Sequence, residues 1–436
     1  MSKIKMQTIK RVRGSELIRG FVTTTFWSAL SKALIVLTTV YCSNVLTQDE
    51  FGEFSFIRNT LNTILLICAT NFSGLAVKFA AESMLSRDSL KKLYILFLFM
   101  IVISFLLGLS ILVAPVSSIQ AVIGGNEIVT YYMKVTGLFL PVFMLQPLLS
   151  AVLRGFKQFK IVGEYELVLS VVYLVIIVLG VYFGRGNGAI YALLIYYLLF
   201  SVVGIYVVFH YNKDVRYLVG VEELASQKSC LRKMIIPVFL MSFIEAPLLW
   251  LAQAEIAKQG SYALVGGLSV ILTIRYIIQI LPTYFYQAFT PIVTVLNVNR
   301  SYAEYYGKFK KNLIALFVVF IILFPVLILL GNTILSIFNE SYVDYYKSYV
   351  LSLLILPLNL FGVLFKLHMM IREYQTIMLY MTFSSSVVFI VCFFFLFTFN
   401  LLDSFFIAQG AQLMIQMIFG LIAFLRDRRS FEYKSL

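Results

Sequence analysis

Apolar segments recur along the whole chain, and each is long enough to cross a lipid bilayer. A membrane-spanning helix needs about 20 predominantly apolar residues, because the hydrocarbon core of a bilayer is ~30 Å thick. The first segment, Phe21–Leu46, is too long for the apolar part of a signal peptide and is predicted to be an uncleaved span. Eleven more follow, at residues 55–77, 93–114, 128–153, 161–183, 187–209, 234–257, 262–287, 312–332, 347–370, 375–399 and 403–425. The sequence therefore predicts an all-α polytopic membrane protein with twelve transmembrane helices.

Charged residues are scarce, and the basic ones are unevenly placed. They make up 13% of the chain, against roughly 25% in soluble domains. Twelve spans put both termini on one side, and 27 of the 35 Lys and Arg residues fall at the termini or in the connections on that side. Only Arg58, Arg185, Lys258 and Lys347 fall on the other side. Since cytoplasmic loops are enriched in Lys and Arg, both termini are predicted to be cytoplasmic. The same distribution explains the net charge of +14 without a nucleic-acid partner.

The longest connection divides the predicted spans into two groups of six. It covers residues 210–233 and is predicted to be a cytoplasmic inter-lobe loop. The predicted domains are therefore an N-terminal six-helix lobe at residues 1–209 and a C-terminal six-helix lobe at residues 234–436.

A weak internal repeat supports two related lobes. Tyr131-Tyr132 precedes Pro141 in the fourth span, and Tyr345-Tyr346 precedes Pro357 in the tenth. Six spans per lobe give both lobes the same orientation, and parallel repeats of this kind place a substrate site at their interface. We therefore expect the two lobes to surround a central cavity.

Two charged residues lie deep inside predicted helices of the C-terminal lobe. Glu245 is near the middle of Met234–Ala257, and Arg275 is near the middle of Tyr262–Gln287. A charge at this depth costs about 2.5–3.5 kcal/mol to insert, so it usually faces protein or water and marks a pathway. Two interpretations are open. Either the two residues form an ion pair that only locks two helices, or Arg275 lines a polar cavity that Glu245 tunes.

Lys32 and Lys134 add positive charge inside the N-terminal lobe. Lys32 is about 16 Å into the first helix, which is the depth of Glu245 and Arg275. Lys134 lies in the outer third of the fourth span, from which a lysine can also extend to the membrane surface. Cations in a low-dielectric wall attract anions strongly. We therefore expect an anionic substrate, such as a phosphate or an acidic sugar, with Lys32, Arg275, Lys134 and Glu245 as candidate substrate-binding residues.

Signals of catalysis and of cofactor binding are missing from the sequence. It has no Gly-rich phosphate loop and no nucleophile elbow. Its two histidines and four cysteines are scattered without metal-ligand spacing. The sequence therefore predicts a protein that is not an enzyme and that carries neither a metal nor a cofactor.

Several short patterns resemble those of a known transporter family. They are LTQDEFGEF at 46–54, FSGLAVKFA at 72–80, LLSAVLRGF at 148–156 and AFTP at 288–291. Together with twelve spans in two six-helix lobes, they resemble the polysaccharide flippases of the Wzx type. That family shares a superfamily with the peptidoglycan lipid flippases and the multidrug (MATE) exporters. The resemblance covers nearly the whole chain.

The resemblance implies a function and a location. A flippase of this type moves an undecaprenyl-diphosphate-linked oligosaccharide repeat unit from the cytoplasmic to the outer leaflet of the bacterial inner membrane by alternating access, for O-antigen lipopolysaccharide or other surface polysaccharide. The implied partners are the lipid-linked oligosaccharide, membrane lipids and other polysaccharide assembly proteins. The family's cationic central cavity corresponds here to Lys32 and Arg275, and less closely to Lys134. Glu245 is the candidate for an ion-responsive group.

Three other functions are compatible with parts of this pattern. A cation-coupled multidrug exporter of the same fold is expected to carry deep carboxylates rather than deep cations. A membrane-embedded glycan polymerase or glycosyltransferase is expected to have a long outer loop with clustered arginines or acidic residues. A lipid-facing structural subunit does not need charges at the middle of the membrane.

Overall fold

A computed structural model describes most of the chain and is helical throughout the described part. It covers residues 26–69, 72–83, 87–211, 228–298, 301–372, 374–396 and 400–432. The basic N-terminal segment 1–20 and residues 212–227 of the predicted inter-lobe loop lie outside the described residues. The described part contains no β-strand. The prediction of an all-helical, multi-pass membrane protein is confirmed.

The helices follow one another with short connections. In the N-terminal half they are α1 (Phe26–Val45), α2 (Gln48–Cys68), α3 (Ser73–Ser83), α4 (Arg87–Val113), α5 (Val116–Ile123), α6 (Glu127–Phe143), α7 (Leu145–Gly155) and α8 (Phe159–Tyr211). In the C-terminal half a π-helical turn at Leu231–Ile235 leads into the first long helix. The helices of that half are α9 (Ile236–Gln259), α10 (Tyr262–Val298), α11 (Tyr302–Leu329), α12 (Gly331–Phe338), α13 (Tyr346–Leu354), α14 (Leu356–Ile371), α15 (Gln375–Leu396) and α16 (Leu401–Glu432). A 3-10 helix at Glu340–Tyr345 joins α12 to α13.

These helices account for all twelve predicted spans. Within the described residues, ten helices are long and apolar enough to cross a membrane. The pair α2 and α3, bent by 46° at its break, forms an eleventh span when taken together. The long helix α8 contains two predicted spans, the fifth and the sixth.

Helix α8 is a hairpin of two membrane-length arms. Its 53 residues are interrupted at Arg185, whose φ of 48° and ψ of −133° are not helical. Either arm alone exceeds the about 20 residues that a span needs. The arms approach each other so closely that a Cβ atom at Gly188 would lie 1.9 Å from the carbonyl oxygen of Gly180. Glycine is therefore required at this contact, and a single straight helix is excluded.

Proline breaks occur at corresponding places in the two halves. The fourth predicted span consists of α6 and α7, which meet at Met144, and Pro147 lies in the first turn of α7. The tenth consists of α13 and α14, and Pro357 lies in the first turn of α14. Proline has no backbone N–H and is tolerated in the first turn of a helix, so each proline favours a break rather than a continuous helix.

Contacts between residues divide the chain into two compact units. Unit 1 comprises Met1–Cys42, Leu61–Ser118 and Glu127–Phe239. Unit 2 comprises Ser43–Thr60, Ile119–Asn126 and Leu240–Leu436. Unit 2 thus contains two short segments from the N-terminal half of the sequence. The lobe boundaries at residues 209 and 234 stay a prediction.

Within unit 2, the start of α2 packs tightly on the start of α10. The Asp49 carboxylate accepts a hydrogen bond from the backbone N–H of Ala263 at 3.1 Å, which satisfies a free donor at the N-terminus of α10. A Cβ atom at Gly52 would lie 1.8 Å from the carbonyl oxygen of Tyr262. The Tyr262 hydroxyl in turn donates to the carbonyl of Ile123 at 2.9 Å. These contacts hold the helix that carries Arg275.

A buried polar network joins the ends of α14 and α16 in unit 2. The Asp427 carboxylate, with 7% of its side chain exposed, accepts hydrogen bonds from Arg372 Nε at 2.9 Å and from the Tyr374 hydroxyl at 2.5 Å. His368 Nε2 lies 3.3 Å from the same carboxylate, and His368 Nδ1 shares a 2.7 Å hydrogen bond with Tyr305 of α11. Burial and the hydrogen bond to Asp427 raise the pKa of Tyr374, so this tyrosine remains a donor. One carboxylate therefore ties three helices together.

Removing the charge of Asp427 tests the importance of this network. We expect Asp427→Asn to lower the free energy of unfolding by about 3 kcal/mol, because it leaves Arg372 without its carboxylate partner in a largely buried place. Thermal unfolding of the purified protein in detergent measures the change. The control is Glu304→Gln, which removes an exposed ion pair with Lys308 (3.2 Å) and should cost less than about 1 kcal/mol. Equal losses in the two variants would contradict the assignment.

Candidate functional site

Glu245 and Arg275 lie in unit 2, but they do not form the ion pair that one interpretation of the sequence required. Each is instead hydrogen-bonded to a glutamine of α16. Arg275 donates from a terminal guanidinium nitrogen to Gln409 Oε1 at 2.6 Å. Glu245 Oε1 accepts from Gln416 Nε2 at 3.3 Å. No ion pair between Glu245 and Arg275 exists among the described residues. A simple charge lock between α9 and α10 is therefore excluded as the explanation of these two residues.

Helix α16 contributes a polar face that the sequence analysis did not identify. Gln409, Gln412 and Gln416 are spaced by three and four residues, so they lie on one side of the helix. Gln416 also donates to Ser385 of α15 at 3.2 Å. The periodic spacing of these three glutamines within an apolar span is the feature of the sequence that indicates a polar helix face.

Arg275 is a buried cation with little compensation. Only 3% of the residue is exposed. Its guanidinium carbon lies 5.9 Å from the centre of the Phe406 ring. Its Nε has no hydrogen-bond partner, and its acceptor, Gln409, is neutral. Burying a charge without an opposite charge costs several kcal/mol. Because of this cost, Arg275 stays a candidate for a functional position.

Other polar atoms of the same region lack partners. Gln412 Nε2 and Gln416 Oε1 on α16, Ser386 Oγ on α15 and Gln253 Oε1 on α9 are buried without a hydrogen bond. Buried polar groups are almost always bonded, so unsatisfied ones need an explanation. We refer to Glu245, Arg275 and the three glutamines of α16 as the unit 2 polar cluster. The cluster contains hydrogen-bond donors and acceptors without partners, one carboxylate and one cation, all on helices long enough to span a membrane.

Lys32 lies in unit 1 and has charged neighbours there. The half-buried Lys32 interacts electrostatically with Glu166 of α8 and with Arg154 of α7. Glu166 binds Arg154 through a 2.6 Å ion pair and accepts from the Ser28 hydroxyl at 2.9 Å. Glu166 and Arg154 are distant from Lys32 in the sequence, and no sequence pattern links them to it. Lys32 and Arg154 thus interact with the same carboxylate, and these three side chains together carry a net positive charge.

Lys134 has a structural contact in unit 1. Its ammonium group donates to the backbone carbonyls of Leu112 and Ala114, each at 3.0 Å. These carbonyls lie at the C-terminal end of α4, where free acceptors and the helix dipole favour a cation. Two of its three donors are therefore used by the backbone. Substrate binding by Lys134 stays a prediction.

The fold and the buried charges define a class, that of multi-pass helical membrane proteins with charged side chains buried between their helices. No protein-family model matches the chain, and no curated protein sequence matches it. Solved structures do match. An inward-facing multidrug resistance MATE family transporter of the MOP superfamily is similar with a TM-score of 0.73 and 13% identity, over 92% of this chain and 95% of that chain. An outward-facing structure described in the same words has a TM-score of 0.67 and 15% identity, over 95% of this chain and 96% of that chain.

A third similar structure is described by the charge of its binding pocket. It is a MOP superfamily transporter from Pyrococcus furiosus, for which a reverse polarity of the binding pocket suggests a different function. Its TM-score is 0.67 at 14% identity, over 96% of this chain and 95% of that chain. At such identities the likeness establishes the fold, which is that of the MATE transporters.

Replacing Arg275 tests whether this residue stabilises the folded protein. We expect Arg275→Met to raise the free energy of unfolding by about 1–2 kcal/mol, because it removes a desolvated charge and keeps an apolar stem of similar length. Thermal unfolding in detergent measures the change. The control is Arg372→Met, the same substitution at an arginine that is paired with Asp427, which should lower stability. A loss in Arg275→Met as large as in the control would show that Arg275 is structural.

Proposed function

We propose that this protein is a secondary transporter that moves its cargo across the membrane by alternating access. The observation that carries the proposal is the match of almost the entire chain to transporters of the MATE fold, with coverage above 90% on both sides. We place it in the bacterial inner membrane with both termini in the cytoplasm, in keeping with the distribution of basic residues.

The first candidate function is the export of amphipathic, drug-like compounds in exchange for a cation. Two of the similar structures are described as multidrug resistance transporters. Glu245 also fits this function better than it fits an anion carrier. It is a deep carboxylate whose single hydrogen bond, from Gln416, is long at 3.3 Å. Such a carboxylate retains free lone pairs for a proton or a metal cation.

The second candidate function is the flipping of lipid-linked oligosaccharides. The specific observation in its favour is the excess of positive charge around Lys32, Arg154 and Glu166, together with the buried Arg275. A diphosphate group would bind such cations well. The partners would then be the lipid-linked oligosaccharide and other polysaccharide assembly proteins.

Paired glutamate variants test the exporter function. We expect Glu245→Gln to lower dye efflux about tenfold or more in cells that lack their own exporters, because it removes the only carboxylate of the unit 2 polar cluster. The matched control is Glu255→Gln on the same helix, where the half-buried Glu255 accepts from Gln259 at 2.9 Å. Efflux that is absent in the unmodified protein, or equal in the two variants, contradicts drug export coupled at Glu245.

A parallel assay in the same cells tests the flippase function. A strain that lacks its own flippase accumulates lipid-linked glycan, and the protein should relieve that accumulation if it flips the glycan. Lys32→Gln should then restore the accumulation. Lys160→Gln, which removes an exposed lysine paired with Glu164 at 3.6 Å, should not. Accumulation that the unmodified protein does not relieve would exclude this cargo.

A further inference from the structure

An apolar groove opens on the surface of unit 2 between α11, α14 and α16. Its volume is about 310 Å³, and only apolar side chains line it. Phe365 of α14 forms its floor and is 4% exposed, whereas Ile314 and Phe317 of α11 are each 52% exposed at its rim. In a membrane-spanning layer such a surface faces acyl chains rather than water. The groove is therefore shaped to hold a hydrocarbon chain.

Basic residues continue the groove along α11. Lys310 precedes the groove residues Leu313, Ile314 and Phe317 by three, four and seven positions, so it lies on the same face of the helix. Lys310 and the adjacent Lys311 are both exposed. Neither has an acidic partner among the described residues. Both ammonium groups are therefore available to an external anion.

Helix α16 adds a further cation at the same end of the groove. Met417 and Leu421 line the groove, and the exposed Arg428 follows Leu421 by seven residues on the same face. At ~1.5 Å per residue, Arg428 lies about 10 Å beyond Leu421, and Lys310 lies about 10 Å beyond Phe317. In the predicted topology α11 begins and α16 ends on the cytoplasmic side. The cations of both helices thus lie at the cytoplasmic mouth of the groove.

We propose that this groove binds an anionic phospholipid of the cytoplasmic leaflet. One acyl chain lies in the groove, and the phosphate is held by Lys310 and Lys311 with Arg428 nearby. The apolar groove complements the acyl chain, and the basic residues complement the phosphate. Basic pockets between transmembrane helices on the cytoplasmic side are typical sites for anionic headgroups. This site goes beyond the proposed transport function and does not depend on its cargo.

Binding there should stabilise unit 2. The groove lies against the cluster of buried side chains that surrounds His368, because Phe365 belongs to both. A lipid between α11, α14 and α16 therefore adds contacts to the helices that the Asp427 network already joins. A ligand that binds only the folded state raises stability according to its concentration relative to its dissociation constant.

Photolabelling with a phospholipid tests the proposal. The full-length chain in phosphatidylcholine nanodiscs receives a trace of phosphatidylglycerol with a photoreactive group in one acyl chain, and labelled peptides are mapped by mass spectrometry. We expect labelling of the segments 313–317 and 417–421. Lys310→Gln with Lys311→Gln should weaken phosphatidylglycerol binding about 30-fold, because each lysine near an anionic lipid contributes about fivefold to the affinity. Leu313→Trp, which fills the groove without a change of charge, should also abolish labelling.

The control is a second lysine pair at the start of another span. Lys91→Gln with Lys92→Gln removes the same charge from α4 in unit 1, a helix that contributes no lining residue to the groove, and should leave labelling of the groove unchanged. Thermal unfolding gives a second measurement, because phosphatidylglycerol should raise the midpoint in the control and not in the Lys310/Lys311 variant. Equal labelling by a neutral photoreactive phosphatidylcholine would overturn the proposal. So would equal loss of labelling in both lysine pairs, or no loss in either.

Discussion

The satisfaction of backbone hydrogen bonds in hydrocarbon is the constraint on which this structure depends. A chain that crosses a bilayer has no water to bond its N–H and C=O groups, so helices are the available solution for segments of this composition. The places where the helices break follow the same constraint. Arg185 turns α8 between its two arms, and proline breaks lie near Met144 and at Pro357. At the end of α4 a side chain supplies the missing partner, because Lys134 donates to the free carbonyls there.

The deep charges show a second consequence of the low dielectric. Arg275 and Glu245 are neutralised neither by each other nor by another charge that the described residues provide. Neutral glutamines of α16 bond them instead, and amides compensate a charge only in part. In unit 1 a carboxylate compensates the cations, since Glu166 pairs with Arg154 at 2.6 Å and interacts electrostatically with Lys32. The two units therefore offer chemically different groups: cations paired with a carboxylate in unit 1, and a partly compensated cation with a separate carboxylate in unit 2.

Much of the fold could be predicted because hydropathy is a property of local sequence. Each predicted span corresponds to helical structure, including the two arms that share α8. The candidate site could be predicted less completely. Lys32, Arg275 and Glu245 were identified because a charge in an apolar run is conspicuous. Glu166 and the glutamines of α16 were not identified as candidates, because nothing local distinguishes a polar side chain that bonds a distant charge from one that does not.

The sequence by itself determined that this protein is helical and where its spans and deep charges lie, because these depend on the length of apolar runs and on the cost of charge in lipid. The tertiary structure decided which side chains meet. Whether Arg275 bonds Glu245 or Gln409 depends on how far each helix is rotated and shifted against its neighbours. Such rotations are set by packing many side chains at once, and spacing along one helix does not contain that information.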